Sequence, residues 1–340
     1  MLTSADGLQK CGNDIFISGQ PNSIFLEKAR SEKFKTFPLK IKGDFNPVTV
    51  IRLAALIKQL QIDIIIANFN KDVRLGGLAK KIAGRGILVA RNGLPILQDK
   101  LVYRLTYRYM ADRILTNSVS IKDKYLQYGW LTDDFIKVIH NGIEIAGTHD
   151  ESENLPGYNI PPGSKVVGFF GRFVGQKQPL SFLEIARNIK QKIPNILFIM
   201  VGEGPLRNKI EQQAKRYEIS DHLILPGFQN TISPYLNACD LVLLTSYKEG
   251  LPNVIMEAMN AKKAVVAYDV GGVKELIPND SIGCVVPVNE SDSMSEQSIA
   301  LLKNDNKRIQ MGIDAHLYIV QNFSKEKMIS ELDGFLRSLV

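Results

Sequence analysis

The chain has very little cysteine: Cys11, Cys239 and Cys284 are its only three in 340 residues, far apart and without metal-ligand spacing. That excludes a disulfide-stapled secreted scaffold and fits buried thiols in a reducing compartment. The four histidines, His140, His149, His222 and His316, are equally scattered, so no metal site is expected. No apolar run reaches the roughly 18 residues that a membrane span needs. The opening MLTSADGLQKCGND lacks a basic stretch followed by an apolar core, which argues against a secretory signal and for a cytoplasmic protein.

The remaining composition is that of a soluble globular chain, 45% hydrophobic and 23% charged. Its length suits two domains of about 150 to 200 residues, each with its own core. The net charge of +7 is unevenly placed. Up to Glu144 there are 22 Lys and Arg against 13 Asp and Glu, which leaves 20 against 22 of the whole-chain 42 and 35. A basic first half points to an anionic partner, a membrane surface or an acidic acceptor ahead of nucleic acid.

Strands are expected at DIFISG, FKTFPLK, DIIIAN, ILVARN, RILTNS and IKVIHN, with helical stretches between them. This alternation is that of a parallel sheet covered on both faces. A loop rich in Pro, Gly, Asn and Ser from Ile145 to Ser164 then marks a domain boundary. The second half repeats the pattern with VVGFFGR, ILFIMVG, HLILPG, DLVLLT, AVVAYD and GCVVPV. Ligands of open α/β sheets sit beyond the carboxyl ends of the strands, and the turns GRFVGQKQP, GEGPLR, PGF and KEGLPN all fall at such ends.

The stretch LVLLTSYKEGLPNVIMEAMN, Leu241 to Asn260, reads as strand, turn and helix, with Pro252 at the helix start. Glu249 follows the strand and Glu257 lies one turn past Asn253. Two carboxylates flank one helix N-terminus, where free N–H groups suit phosphate and carboxylates suit sugar hydroxyls. Glu257 sits inside the apolar run VIMEAM, and a carboxylate buried there needs a polar ligand. Arg172 and Lys177, on the turn after the first strand of this half, can meet a diphosphate; solvated basic residues are the bland alternative. GEGPLR offers only Gly202 and Gly204, with Arg207 where a third glycine of a dinucleotide fingerprint would stand.

The Glu, seven residues, Glu spacing of EGLPNVIMEAM resembles the signature of the retaining glycosyltransferases of family 4, which have the GT-B fold. The match runs in order from Gly171 to Pro278, and an Arg and a Lys stand after the first C-terminal strand as in the family. The resemblance implies an α/β protein of two doubly wound Rossmann-like domains (GT-B) facing a cleft. It implies catalytic roles for Glu249, Arg172 and Lys177. Donor contacts would come from Gly171, Gly202, Glu203, Gly204, Arg207, Phe228, Gly250, Leu251, Pro252, Asn253 and Glu257. Gly271, Gly272 and Glu275 continue the pattern, although Glu275 reads equally well as part of a tight turn capping a helix.

The first half departs from the family. The chain opens inside what resembles the family's first helix, so the first strand and its Gly-rich loop are expected to be missing. Where the family often has a donor-contacting His, Asn68 is the nearest match, and Asn68, Asn70, Lys71, Asp72 and Arg74 are acceptor-side candidates. The expected divisions are an acceptor-side domain over 1–145, a linker over 146–164, a nucleotide-sugar domain over 165–322, and a last helix over 323–340 that crosses back to the first domain. Lys100, Arg104 and Arg108 are spaced four apart among Tyr103, Leu105 and Tyr107; this helix could lie on an anionic lipid surface or be an ordinary amphipathic domain helix. The function implied is a metal-independent retaining hexosyltransferase. It would move a sugar from a nucleotide diphosphate donor, UDP-linked, to a cell-envelope saccharide or lipid-linked acceptor. It would need no cofactor, bind no nucleic acid, and be cytoplasmic or peripheral on the membrane's inner face. The alternatives are an impaired nucleotide-sugar-binding homologue or fragment, and a GT-B-fold epimerase.

Overall fold

The computed structural model describes residues 1–41, 43–145, 155, 157–158 and 160–340, so most of the expected linker, 146–164, lies outside the described residues. The chain divides into two compact units: Met1–Gly142 with Lys325–Val340, and Ile143–Ser324.

The first unit alternates α1 (Leu2–Lys10), β1 (Phe16–Gly19), α2 (Ile24–Ser31), β2 (Lys35–Pro38), α3 (Pro47–Gln59), β3 (Ile64–Ala67), α4 (Asn70–Ala83), β4 (Ile87–Asn92), α5 (Leu101–Met110), β5 (Arg113–Thr116), α6 (Val119–Leu126) and β6 (Ile136–Val138). The helix starts are locally encoded. Ser23, Asn46 and Ser118 accept a backbone N–H at the starts of α2, α3 and α6, and Pro47 follows one of these caps. Strands β3 to β6 form a parallel four-stranded sheet in chain order, and β1 pairs in parallel with β2 as a separate ribbon. Alternate side chains of the sheet go to two cores. Leu88, Ala90 and Ile114 pack with Tyr107 and Tyr125, whereas Val89 and Leu115 pack with Leu8, Met328, Leu332 and Leu336. The last four include three residues of the final helix, α14 (Lys325–Arg337), which therefore covers one face of the first unit's sheet.

The second unit contains β7 (Lys165–Phe170), α7 (Pro179–Lys190), β8 (Ile196–Val201), α8 (Arg207–Arg216), β9 (Leu223–Gly227), α9 (Ser233–Asn237), β10 (Leu241–Leu244), α10 (Asn253–Asn260), β11 (Ala264–Tyr268), α11 (Val273–Leu276), β12 (Cys284–Val286), α12 (Ser291–Lys303) and α13 (Asp305–Asn322). Its six parallel strands are ordered β12-β11-β10-β7-β8-β9. They read as near-continuous apolar runs because helices cover both faces. The order reverses between β7 and β10, and in such sheets a crevice opens where the connections from these two strands diverge. Among the described residues no helix is long and apolar enough to cross a membrane.

Candidate active site

The reversal point of the second unit gathers residues that are far apart in the chain. After β7 the backbone makes a one-turn 3-10 helix, Gly175–Lys177, and after β10 it runs as a loop to the first turn of α10. Thr245 Oγ1 donates to the carbonyl of Lys177 at 3.0 Å, the Tyr247 N–H donates to the Gln176 carbonyl at 3.1 Å, and Gln176 Nε2 donates to the Lys248 carbonyl at 2.8 Å. These bonds hold the two turns side by side. Across them Lys177 Nζ reaches Glu249 Oε1 at 2.6 Å, with the two side chains 19% and 8% exposed.

A third turn braces this pair from the far side. The Gly272 N–H donates to the Gly250 carbonyl at 2.6 Å, and Gly271 sits at φ +53° against the same loop. A Cβ at Gly271 would lie 2.3 Å from the carbonyl oxygen of Glu249, so only glycine allows this approach. On the other flank a Cβ at Gly202 would lie 1.9 Å from the Gly171 carbonyl, which locks the turns after β7 and β8 together. Gly204 likewise backs onto Phe173, with a Cβ contact of 2.6 Å to its carbonyl oxygen.

Helix α10 begins at Asn253 with Pro252 as its N-cap, a residue whose side chain makes no capping bond. Gly250, Leu251 and Pro252 are buried and Asn253 is exposed. Glu257, half-buried on this helix, makes no hydrogen bond or ion pair among the described residues, and burial pushes its pKa above the ordinary carboxylate value. Arg172 is exposed and equally unpaired. Phe228 projects its ring into solvent at 70% exposure, beyond β9.

Other expected residues are engaged elsewhere. Arg207 donates to Glu203 Oε1 at 2.9 Å and to Glu211 Oε1 at 2.7 Å, one helical turn away on either side, and to the Leu225 carbonyl. Its charge is compensated by Glu203 and Glu211 together. In the first unit Arg74 is buried, paired with Asp44 and lies over the Phe45 ring at 5.8 Å. Asn70 accepts the Tyr107 hydroxyl at 2.7 Å, and that hydroxyl also receives Asn92 Nδ2 at 3.4 Å. Asp72 is half-buried with its pKa raised by burial, and Asn68 and Lys71 are half-buried beside it. The network of Asn70, Tyr107, Asn92 and Tyr125 ties α4, α5 and α6 to the end of β4. Among the described residues no group of three His, Cys, Asp or Glu could hold a metal ion.

Thr245 and Gln176 were not named as site residues from the sequence, whereas Gly272 was named only as continuing the family pattern. A Thr at the carboxyl end of an apolar strand was the only local signal for the first two, since Gln176 acts through its side chain and carbonyl on a segment about 70 residues away.

Two family models divide the chain between them: Glycosyltransferase Family 4 matches residues 3–146, and Glycosyl transferases group 1 matches residues 150–317. The chain belongs to the family 4 glycosyltransferases. A relative from Escherichia coli, UDP-Gal:alpha-D-GlcNAc-diphosphoundecaprenol alpha-1,3-galactosyltransferase, is 26% identical over 86% of this chain and 79% of its own. A Campylobacter jejuni relative, named as an N-acetylgalactosaminyltransferase acting on N-acetylgalactosamine-N,N'-diacetylbacillosaminyl-diphospho-undecaprenol, is 22% identical over 77% of this chain and 73% of its own. The crystal structure of Anabaena HepE in complex with UDP superposes with a TM-score of 0.88 at 21% identity, over 99% of this glycosyltransferase and 95% of HepE. The fold of this glycosyltransferase is accordingly GT-B.

Proposed function

We propose that this glycosyltransferase takes a sugar from a UDP-sugar donor, with retention at the anomeric carbon, and adds it to a cell-envelope saccharide or lipid-linked acceptor. The donor lies in the second unit, 143–324, and the acceptor in the first. The Lys177–Glu249 pair at the strand reversal is the observation that carries this reading. A departing diphosphate gains negative charge, and Lys177, exposed Arg172 and the positive end of the α10 dipole oppose that charge. Glu249 faces the donor sugar, and unpartnered Glu257, one turn into α10, accepts ribose hydroxyls. Phe228 offers an apolar face for the base. No side chain is assigned as general base. Retention is what the resemblance to family 4 implies, and the names of the E. coli and C. jejuni relatives support the acceptor class.

Helix α5 supports a site at an anionic membrane surface. Its outward face carries Leu101, Val102, Leu105 and Tyr109 at 46 to 69% exposure, interleaved with exposed Arg104 and Arg108, while its inward face is built from Thr106 and Tyr107. An apolar face mixed with arginine suits the boundary between headgroups and acyl chains.

Incubation with radiolabelled UDP-sugars and envelope lipid extracts tests the transfer. Wild-type rates surviving Glu249→Ala combined with Lys177→Ala would overturn the site, and conversion of donor without acceptor would mark an epimerase instead. For the membrane, sedimentation with phosphatidylglycerol vesicles is expected and should fall in a Leu101→Ser, Leu105→Ser variant; equal sedimentation with neutral vesicles would refute the electrostatic part.

A further inference from the structure

The first unit has a pocket at the carboxyl ends of β4, β5 and β6, the end of a parallel sheet where ligands bind. Arg91 is the last residue but one of β4, Asn117 follows β5, and His140 lies beyond β6, with Met328 and Leu332 of α14 as an apolar wall. No Asp or Glu lines it. Two of its groups lack what their chemistry requires. Arg91 is only partly exposed, yet its guanidinium makes no hydrogen bond or ion pair among the described residues, and burial lowers its pKa. A guanidinium so placed bears a desolvation cost that a planar, doubly accepting anion would offset. Asn117 is 8% exposed, and its Oδ1 has no donor. A buried amide oxygen without a donor costs free energy that a ligand hydroxyl would recover.

We propose that this pocket is a subsite for a phosphorylated saccharide, with Arg91 gripping a phosphate and Asn117 accepting a hydroxyl of the adjoining sugar. The inference rests on the glycosyl-transfer reading and deepens it: the acceptor is recognised through an anionic phosphate next to its sugar, not through the sugar alone. The acceptor-side residues expected from the sequence, Asn68 to Arg74, belong to the end of β3 and the start of α4 and are separate from this pocket. Asn92, the neighbour of Arg91, donates to the Tyr107 and Tyr125 hydroxyls, which ties down the end of β4 next to the pocket.

The test is calorimetric titration of the full chain, saturated with UDP so that the donor's phosphate positions are filled, with glucose 1-phosphate, inorganic phosphate and glucose. Binding of glucose 1-phosphate, and weaker binding of phosphate, are expected for the wild type. Arg91→Gln should weaken both by about 10- to 100-fold, the range for a charged hydrogen-bonded contact. Asn117→Ala should weaken glucose 1-phosphate alone. If Arg91→Gln does not fold, the wild type carries the test through mass mapping of phenylglyoxal adducts, in which glucose 1-phosphate should slow modification of Arg91. Absence of glucose 1-phosphate binding to the UDP-bound wild type, unchanged affinity in Arg91→Gln, or unprotected Arg91 would overturn the proposal. Failure of the first titration with UDP would instead strike the donor-site reading.

Discussion

Replacing Lys177 by Met removes the partner of a carboxylate that is 7% exposed as a residue and held at 2.6 Å. An uncompensated charge in such a place costs about 3–5 kcal/mol, whereas replacing both partners by apolar residues of similar size is close to neutral. Lys177→Met should therefore destabilise the second unit by that amount. For a domain of this size, each kcal/mol lowers Tm by roughly 2–4 °C, so a fall of about 6–20 °C is expected. Lys177→Met with Glu249→Leu should recover most of the loss. Sugar transfer should be absent from both variants, because the roles proposed for the pair, opposing diphosphate charge and facing the donor sugar, would be lost in each. Scanning calorimetry with the radiolabelled transfer assay separates stability from activity. A double variant no more stable than Lys177→Met would refute the energetic argument, and a double variant that transfers sugar at the wild-type rate would refute the chemical one.

Three other outcomes follow from the same geometry. The pKa of Glu257 is raised by burial, so its contribution to stability is full below the ordinary carboxylate value of 4.5 and is lost as pH rises through the raised value. UDP affinity should move oppositely, strengthening over that window as the carboxylate forms, and Glu257→Gln should flatten both profiles in calorimetric titrations. Gly271→Ala forces a Cβ to 2.3 Å from the Glu249 carbonyl at φ +53°, and should weaken UDP binding severalfold while costing about 1–2 kcal/mol for the left-handed backbone alone; unchanged binding would show that the brace is dispensable. Burial pushes the Cys239 thiol up to about 12 and also raises Cys284, whereas Cys11 is exposed. A thiol reagent such as dithionitrobenzoate should react rapidly with one equivalent in the native protein, and two fast equivalents would contradict the burial.

Much of the architecture was legible because it is encoded locally. Each strand from Phe16–Gly19 to Cys284–Val286 falls within an apolar, β-leaning run bounded by turn residues, and the start of α10 after Pro252 is written in the sequence around it. The separation of β1 and β2 from the four-stranded sheet was not, because runs of apolar residues do not say which edge meets which. Arg74, Arg207 and Asn70 looked like free polar groups at strand ends. Their occupation by Asp44, by Glu203 with Glu211, and by Tyr107 depends on partners whose proximity no local pattern reveals.

An alternating α/β chain, glycine and proline at the turns, and two glutamates flanking one helix start are written in the order of residues, since helix and strand periods and turn preferences act over a few residues. The meeting of Lys177 with Glu249 across 72 residues of chain, and the pocket without an acid that Arg91 and Asn117 share, come from folding alone. These depend on the order of strands in a sheet, which is set by the competition of many long-range packings for burial, and that competition is resolved only when the whole domain folds.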